Sequence, residues 1–166
     1  MSVQLTYLNR LKVVETSAAA LVSTSDATRT YNGLDTEETF NASSTPDAED
    51  AAFFRITLTA GAATIDLTAM LHQIDSALTA SKSASGKKVR AWKFKAPATN
   101  TGNITITKGA SNGYSPVGTT FTKVIAPGGE SSDYFVSAAG TVGGSAKNLD
   151  VTGTGTEYID VGVVWG

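Results

Sequence analysis

The single histidine of this chain, His72, limits the catalytic chemistry its side chains can perform. A Ser–His–Asp relay would have to pass through it, and no serine stands in a nucleophile-elbow context, where a strand turns sharply into a helix. His72 follows Leu71, one residue off an apolar stripe, and reads as an ordinary helix-surface side chain. There is no cysteine, which excludes disulfides, thiolate metal sites and cysteine nucleophiles together. Zinc would then need carboxylates drawn from distant positions. The acid-dense stretch Asp47–Asp50 lacks the alternating ligands and central glycine of a calcium loop. A carboxylate pair for glycoside hydrolysis would draw on Glu37, Glu38 and Glu130, and would need a long aromatic-lined cleft besides. The glycine-rich stretches 109–113 and 153–156 match no phosphate-binding loop and precede no helix. They read as turns, with Asn112-Gly113 supplying positive φ values. Together these features predict a non-enzymatic protein with no cofactor, no metal and no small-molecule substrate.

The stretch Lys87-Lys88-Val89-Arg90-Ala91-Trp92-Lys93-Phe94-Lys95 interleaves bases with aromatics, as a platform for single-stranded nucleic acid does. Strand alternation offers a plainer account: Trp92 and Phe94 face a core, while Val89, Ala91 and Lys93 take the other side. With a net charge of −2, no global field draws the chain to nucleic acid or to an anionic membrane. Neither partner is expected. No apolar run approaches the roughly 20 residues that span a bilayer, and the N-terminal stretch does not read as a secretory signal.

The elements that would carry these residues are mostly strands. Charged residues make up 17% of the 166, with Ser, Thr, Gly and Ala in their place, a balance suited to Thr-rich strand faces and Gly-rich turns. Phe54, Ile56 and Leu58 alternate with Arg55, Thr57 and Thr59, the period of a half-buried strand, and Gly61 punctuates it. Leu67, Met70, Leu71, Ile74 and Leu78 fall at spacings of three and four, which predicts one short amphipathic helix capped by Asp66. Further strands are expected over 89–94, at Ile104 and Ile106, over 121–125 and 134–136, at Leu149 and Val151, and over 158–165. The region 36–50 reads as a loop. The fold class is mainly β: an antiparallel sandwich or jelly roll over 31–166, preceded by an N-terminal arm over 1–30 that is extended or partly helical.

Local charge is more informative than net charge. From Asp35 to Asp75 there are eight acids and one base, Arg55; from Ser76 to Gly129 there are eight bases and no acid. The blocks are either two solvated faces or the complementary faces of a head-to-tail contact between copies. The second possibility places Asp35, Glu37 and Glu38 against Lys87, Lys88 and Arg90. The arm adds Leu5, Tyr7, Leu8 and Leu11 as contacts to a neighbouring subunit. Trp92, Tyr114 and Tyr134 form the aromatic set that a carbohydrate-binding module would have to expose.

One resemblance is carried by an ordered set of segments. These are Asn41–Pro46, Gly61–Thr68, Val89–Lys95, Ile104–Tyr114, Ala126–Glu130, Leu149–Gly155 and Ile159–Gly166. From Asn41 to the end, the chain resembles a family of small tailed-phage and prophage structural proteins of β-sandwich type, similar to head-decoration (cement) proteins. The resemblance implies a virion component, made in the bacterial host's cytoplasm, that binds the outside of the capsid and stabilises it. It also implies the major capsid protein and further copies of the chain as partners. A tail or head–tail component, or a small carbohydrate-binding sandwich, is the alternative. The chain departs from the family over 69–82, where the family has a glycine-rich loop.

Overall fold

The structure, a computed structural model, describes residues 4–9, 13–17, 27–31, 36–73, 79–137 and 140–166. Among these the regular elements are all strands. The chain forms two compact units, Leu5–Thr39 and Met1–Gln4 with Phe40–Gly166. In the smaller unit β1 (Gln4–Asn9) pairs with β4 (Thr36–Asn41). There β2 (Val13–Ser17) also pairs antiparallel with β3 (Ala27–Tyr31), Val13 opposite Tyr31. The expected loop over 36–50 is thus shorter than the sequence suggested: Thr36–Asn41 is strand, because its threonines and Phe40 suit a pleated ribbon.

The larger unit is an antiparallel sandwich of two four-stranded sheets. Its strands are β5 (Asp50–Thr57), β6 (Ala62–Asp66), β7 (Met70–Gln73), β8 (Thr79–Lys82), β9 (Val89–Lys95), β10 (Ile104–Lys108), β11 (Thr122–Ile125), β12 (Glu130–Tyr134), β13 (Asn148–Thr152) and β14 (Tyr158–Trp165). One sheet has the order β11-β10-β13-β6 and the other β12-β9-β14-β5, while β7 and β8 form a separate hairpin. Alternation sends Ile65, Ile104, Ile106, Ile125, Leu149 and Val151 inward from the first sheet. Phe54, Trp92, Phe94, Ile159, Val161, Val163 and Trp165 meet them from the second. At the β5–β6 corner Ala60 and Gly61 both take positive φ (52° and 81°), the conformation of a tight type I′ turn. A Cβ on Gly61 would stand 2.7 Å from the carbonyl oxygen of Gly153, so glycine is required there twice over.

Three expectations are corrected. The helix is absent from the described residues: 67–69 is a turn, and Met70–Gln73 pairs with Thr79–Lys82 as a hairpin. Asp66 does cap, but it caps the turn. Its Oδ1 accepts from the Thr68 amide (2.8 Å) and the Thr68 hydroxyl (2.6 Å). The Leu67 carbonyl, which a helix would offer to Leu71, accepts from the Ala84 amide instead (2.9 Å). Ile74 and Leu78 lie outside the described residues.

The strand expected over 134–136 runs over Glu130–Tyr134, because β9 dictates its register, Glu130 opposite Lys95 and Tyr134 opposite Ala91. And Val89 faces the core with Trp92 and Phe94. A bulge explains it: Val164 pairs with Ala91 but Trp165 pairs with Val89, so Arg90 is the extra residue and the alternation restarts.

Candidate interaction surfaces

Trp92 and Tyr114 are turned inward. Trp92 is 3% exposed and sits among Phe94, Phe121 and Phe135 at centroid distances of 5.4, 5.3 and 5.0 Å. Its indole N–H donates to Asp133 Oδ2 (2.7 Å), and Lys123 donates to the other carboxylate oxygen (2.8 Å). Strand β11 thus reaches across to β12 at one open side of the sandwich. Tyr114 is 1% exposed, its hydroxyl accepting from the Val89 amide at 3.2 Å, and burial pushes its pKa up. Tyr134 stacks on Phe40 at 6.2 Å. The sequence placed Trp92, Tyr114 and Tyr134 as a candidate sugar platform, which requires exposed faces; two of the three are buried.

The expected catalytic candidates are dispersed. His72 lies on β7, where Nδ1 accepts from the Phe53 amide of β5 (3.0 Å) and so caps an outward-pointing edge N–H. Glu130 pairs with Lys93 at 3.0 Å. The stretch Gly109-Ala110-Ser111-Asn112-Gly113 has the spacing of a nucleophile elbow, yet no helix follows it. Instead it folds onto Asn148, whose backbone oxygen accepts from the Gly109 and Tyr114 amides and whose Nδ2 donates to the Ser111 carbonyl (3.0 Å). Among the described residues no group of three or more His, Cys, Asp or Glu side chains is placed to hold a metal ion. A cavity of ≈ 190 Å³ lies between β5, β6 and the start of β7, floored by Phe54, Ile56, Ile65 and Met70. It falls below the roughly 300 Å³ at which small-molecule sites begin. Its charged rim residues are already engaged, Arg55 with Asp160 (2.6 Å) and Asp66 with Lys147 (2.6 Å).

The charge blocks meet within the chain. Asp47 pairs with Arg90, Glu49 with Lys87, and Asp50 with Lys82. The segment that leaves β4 is thereby laid along the start of β9 and the end of β14, where the Glu49 amide donates to the Trp165 carbonyl (2.8 Å). Arg90 hydrogen bonding holds the Asp47 carboxyl below its usual range. Burial pushes Asp50 up, but hydrogen bonds from Lys82 and the Ala51 amide leave it lowered. Of the residues expected at an interface, Lys87 and Arg90 therefore have partners in their own chain. For Lys88 the structure gives backbone bonds to Gly166 and no ion pair among the described residues. Leu5, Tyr7 and Leu8 fall on β1 and Glu37 and Glu38 on β4, whereas Leu11 and Asp35 lie outside the described residues.

Sequence reasoning missed two polar anchors. Glu157 Oε1 accepts from the Thr101 amide (2.6 Å), the Thr101 hydroxyl (2.8 Å) and the Gly102 amide (2.6 Å), stapling the 100–103 turn to the 153–157 turn. Desolvation pushes Glu157 up, and these bonds, with one from the Thr154 amide, outweigh it and lower its pKa. Asn100, buried, donates from Nδ2 to the Tyr158 carbonyl (2.9 Å) beside it. For Glu157 the sequence displays only the T-x-x-E spacing to Thr154, and the partner of Asn100 lies 58 residues away.

The two sheets of the larger unit present outer faces of different character. Pairing register aligns Arg55, Asp160, Lys95 and Glu130 in one outward row of the β12-β9-β14-β5 sheet, and Phe53, Gly162, Lys93 and Ser132 in the next. Phe53 is 55% exposed and lies over Gly162, where a Cβ would come within 3.0 Å of its ring. The other sheet turns outward Val124, Thr105, Thr152 and Ala62 in one row and Thr122, Thr107, Asp150 and Thr64 in the next. No family model, curated protein or solved structure matches the chain.

Proposed function

We propose that this is a non-enzymatic structural protein of a tailed-phage virion, a decoration protein that binds the outside of the head and stabilises it. One observation carries the non-catalytic part of this reading: the largest aromatics and the strongest polar anchors are engaged in the sandwich itself. Trp92, Tyr114, Asp133 and Glu157 hold strands and turns together. The outer strand faces are then a surface on offer. Such faces suit many weak contacts repeated under symmetry better than capture of one small ligand. The virion part rests on the ordered resemblance from Asn41 to the end of the chain.

The test mixes the purified protein with undecorated capsids, and separately with tails, and reads both by electron microscopy. Density at regular positions on the capsid exterior is the expected result. Binding to tails alone moves the assignment to a tail component. Binding to neither, with a folded protein, overturns the reading and makes a glycan screen the next step.

A further inference from the structure

We propose that the outer face of the β11-β10-β13-β6 sheet is a self-association surface that packs flat against the same face of a second copy. Two of its rows, Val124–Thr105–Thr152–Ala62 and Thr122–Thr107–Asp150–Thr64, contain five threonines, a valine, an alanine and a single charge, and at one end Asp66, paired with Lys147, stands opposite Asn148. Val124 is 61% exposed, and Thr64, Thr122, Thr152 and Ala62 are exposed as well. The one carboxylate of these rows is already engaged: Asp150 accepts from the Thr64 hydroxyl (3.3 Å) and the Ala110 amide (2.8 Å).

The chemistry of the face selects its occupant. A charged partner would lose hydration against these rows and find no opposite charge in return. Hydroxyls both donate and accept, so a threonine array complements another threonine array, as an amine or carboxylate array does not complement its own kind. The same patch on a second copy supplies that array, in the isologous arrangement commonest among homo-oligomers. A two-fold axis passing through the Thr105–Thr152 row keeps the two Asp150 carboxylates apart. The other sheet's outer face alternates charges that are already paired within the chain, Arg55 with Asp160 and Lys93 with Glu130, so a copy laid on it would compete with those pairs.

The area sets the strength. Four strands about 4.8 Å apart, three of them five residues long and β11 four, at about 3.3 Å per residue give a footprint of roughly 300 Å² per copy. A stable dimer buries about 800 Å² per partner. The contact is therefore weak in isolation and acts where copies are concentrated or arrayed.

Sedimentation velocity from micromolar to millimolar protein, at low and high salt, tests this. Wild type is expected to self-associate with rising concentration and to keep that association in high salt, since no ion pair drives it. Thr105→Lys and, on the neighbouring strand, Thr152→Lys are each expected to lower the association constant at least about tenfold, by burying an unpaired ammonium. Ser132→Lys, on the opposite outer face, is expected to leave it unchanged, and circular dichroism establishes that each variant is folded. A wild type that stays monomeric at millimolar concentration overturns the proposal. So does association that salt abolishes and the threonine variants leave intact, which would assign it to the charged face.

Discussion

The two outer faces of the sandwich are built by the same backbone pattern and filled with opposite chemistry. On the β12-β9-β14-β5 sheet, Arg55 bridges to Asp160 and lies 4.0 Å over the Tyr158 ring, and Lys93 pairs with Glu130. On the β11-β10-β13-β6 sheet, threonines stand opposite threonine, valine and alanine, with one engaged carboxylate. Cross-strand pairs of either kind stabilise a sheet by similar small amounts. Stability therefore does not account for the difference, whereas the proposed contact between copies would. A charged face gives up its water at a high cost, and a hydroxyl-and-methyl face at a lower one that new hydrogen bonds can offset.

The most severe break in this arrangement is one that removes the floor beneath both faces. Trp92→Ala deletes the side chain that contacts Phe94, Phe121 and Phe135 and leaves the Asp133 carboxylate without its indole donor. A loss of about 3–5 kcal/mol is expected in urea unfolding, the range for burying no replacement for a large aromatic. Acid acts next. Asp47, Asp50 and Asp66 have lowered pKa values when folded, so their contribution is complete above the ordinary carboxylate range and is lost as pH falls through it toward the folded values. All three are partly exposed, and solvent screening holds each to roughly 1 kcal/mol or less. Thermal melts from neutral pH down to acid should show a falling midpoint, which 1 M salt reduces (roughly a 3 Å screening length).

Smaller effects separate the faces. Arg55→Ala removes the bridge to Asp160 and the stacking on Tyr158, at an expected cost of about 0.5–1 kcal/mol that shrinks in salt. Thr105→Lys should change urea stability by less than about 0.5 kcal/mol, because the side chain points away from the core. Its effect belongs to association alone. A large loss of stability in that variant would mean that Thr105 is packed within the chain.

How much of this was legible in the sequence depended on the range of the signal. The strands β10, β13 and β14 follow from alternation at Ile104/Ile106, Leu149/Val151 and Ile159/Val161/Val163, because a period of two is written in adjacent residues. The spacing of Leu67, Met70 and Leu71 pointed to a helix, since a turn followed by a strand start also brings apolar residues three and four apart. Ala84, which takes the Leu67 carbonyl, lies too far along the chain to be read there. The inward Val89 depends on a bulge set by the partner strand, which no local pattern encodes. The charge blocks were visible as blocks. They were expected either as solvated faces or as a contact between copies; that they pair within one chain was not visible, because it depends on β5, β14 and β9 lying side by side. The role of Glu157 was hidden for the same reason: beyond the nearby Thr154 amide, its donors come from Thr101 and Gly102, far along the chain. The two threonine rows were present as T-x-T spacing in β10 and became a face only when register aligned four strands.

The contrast between the two faces is tested most directly by amide NMR shifts followed through a dilution series at high salt. Concentration-dependent shifts confined to β6, β10, β11 and β13 are expected, with the amides of β9, β12 and β14 unmoved. Shifts centred on β9, β12 and β14, or none on either sheet up to millimolar concentration, would contradict that contrast.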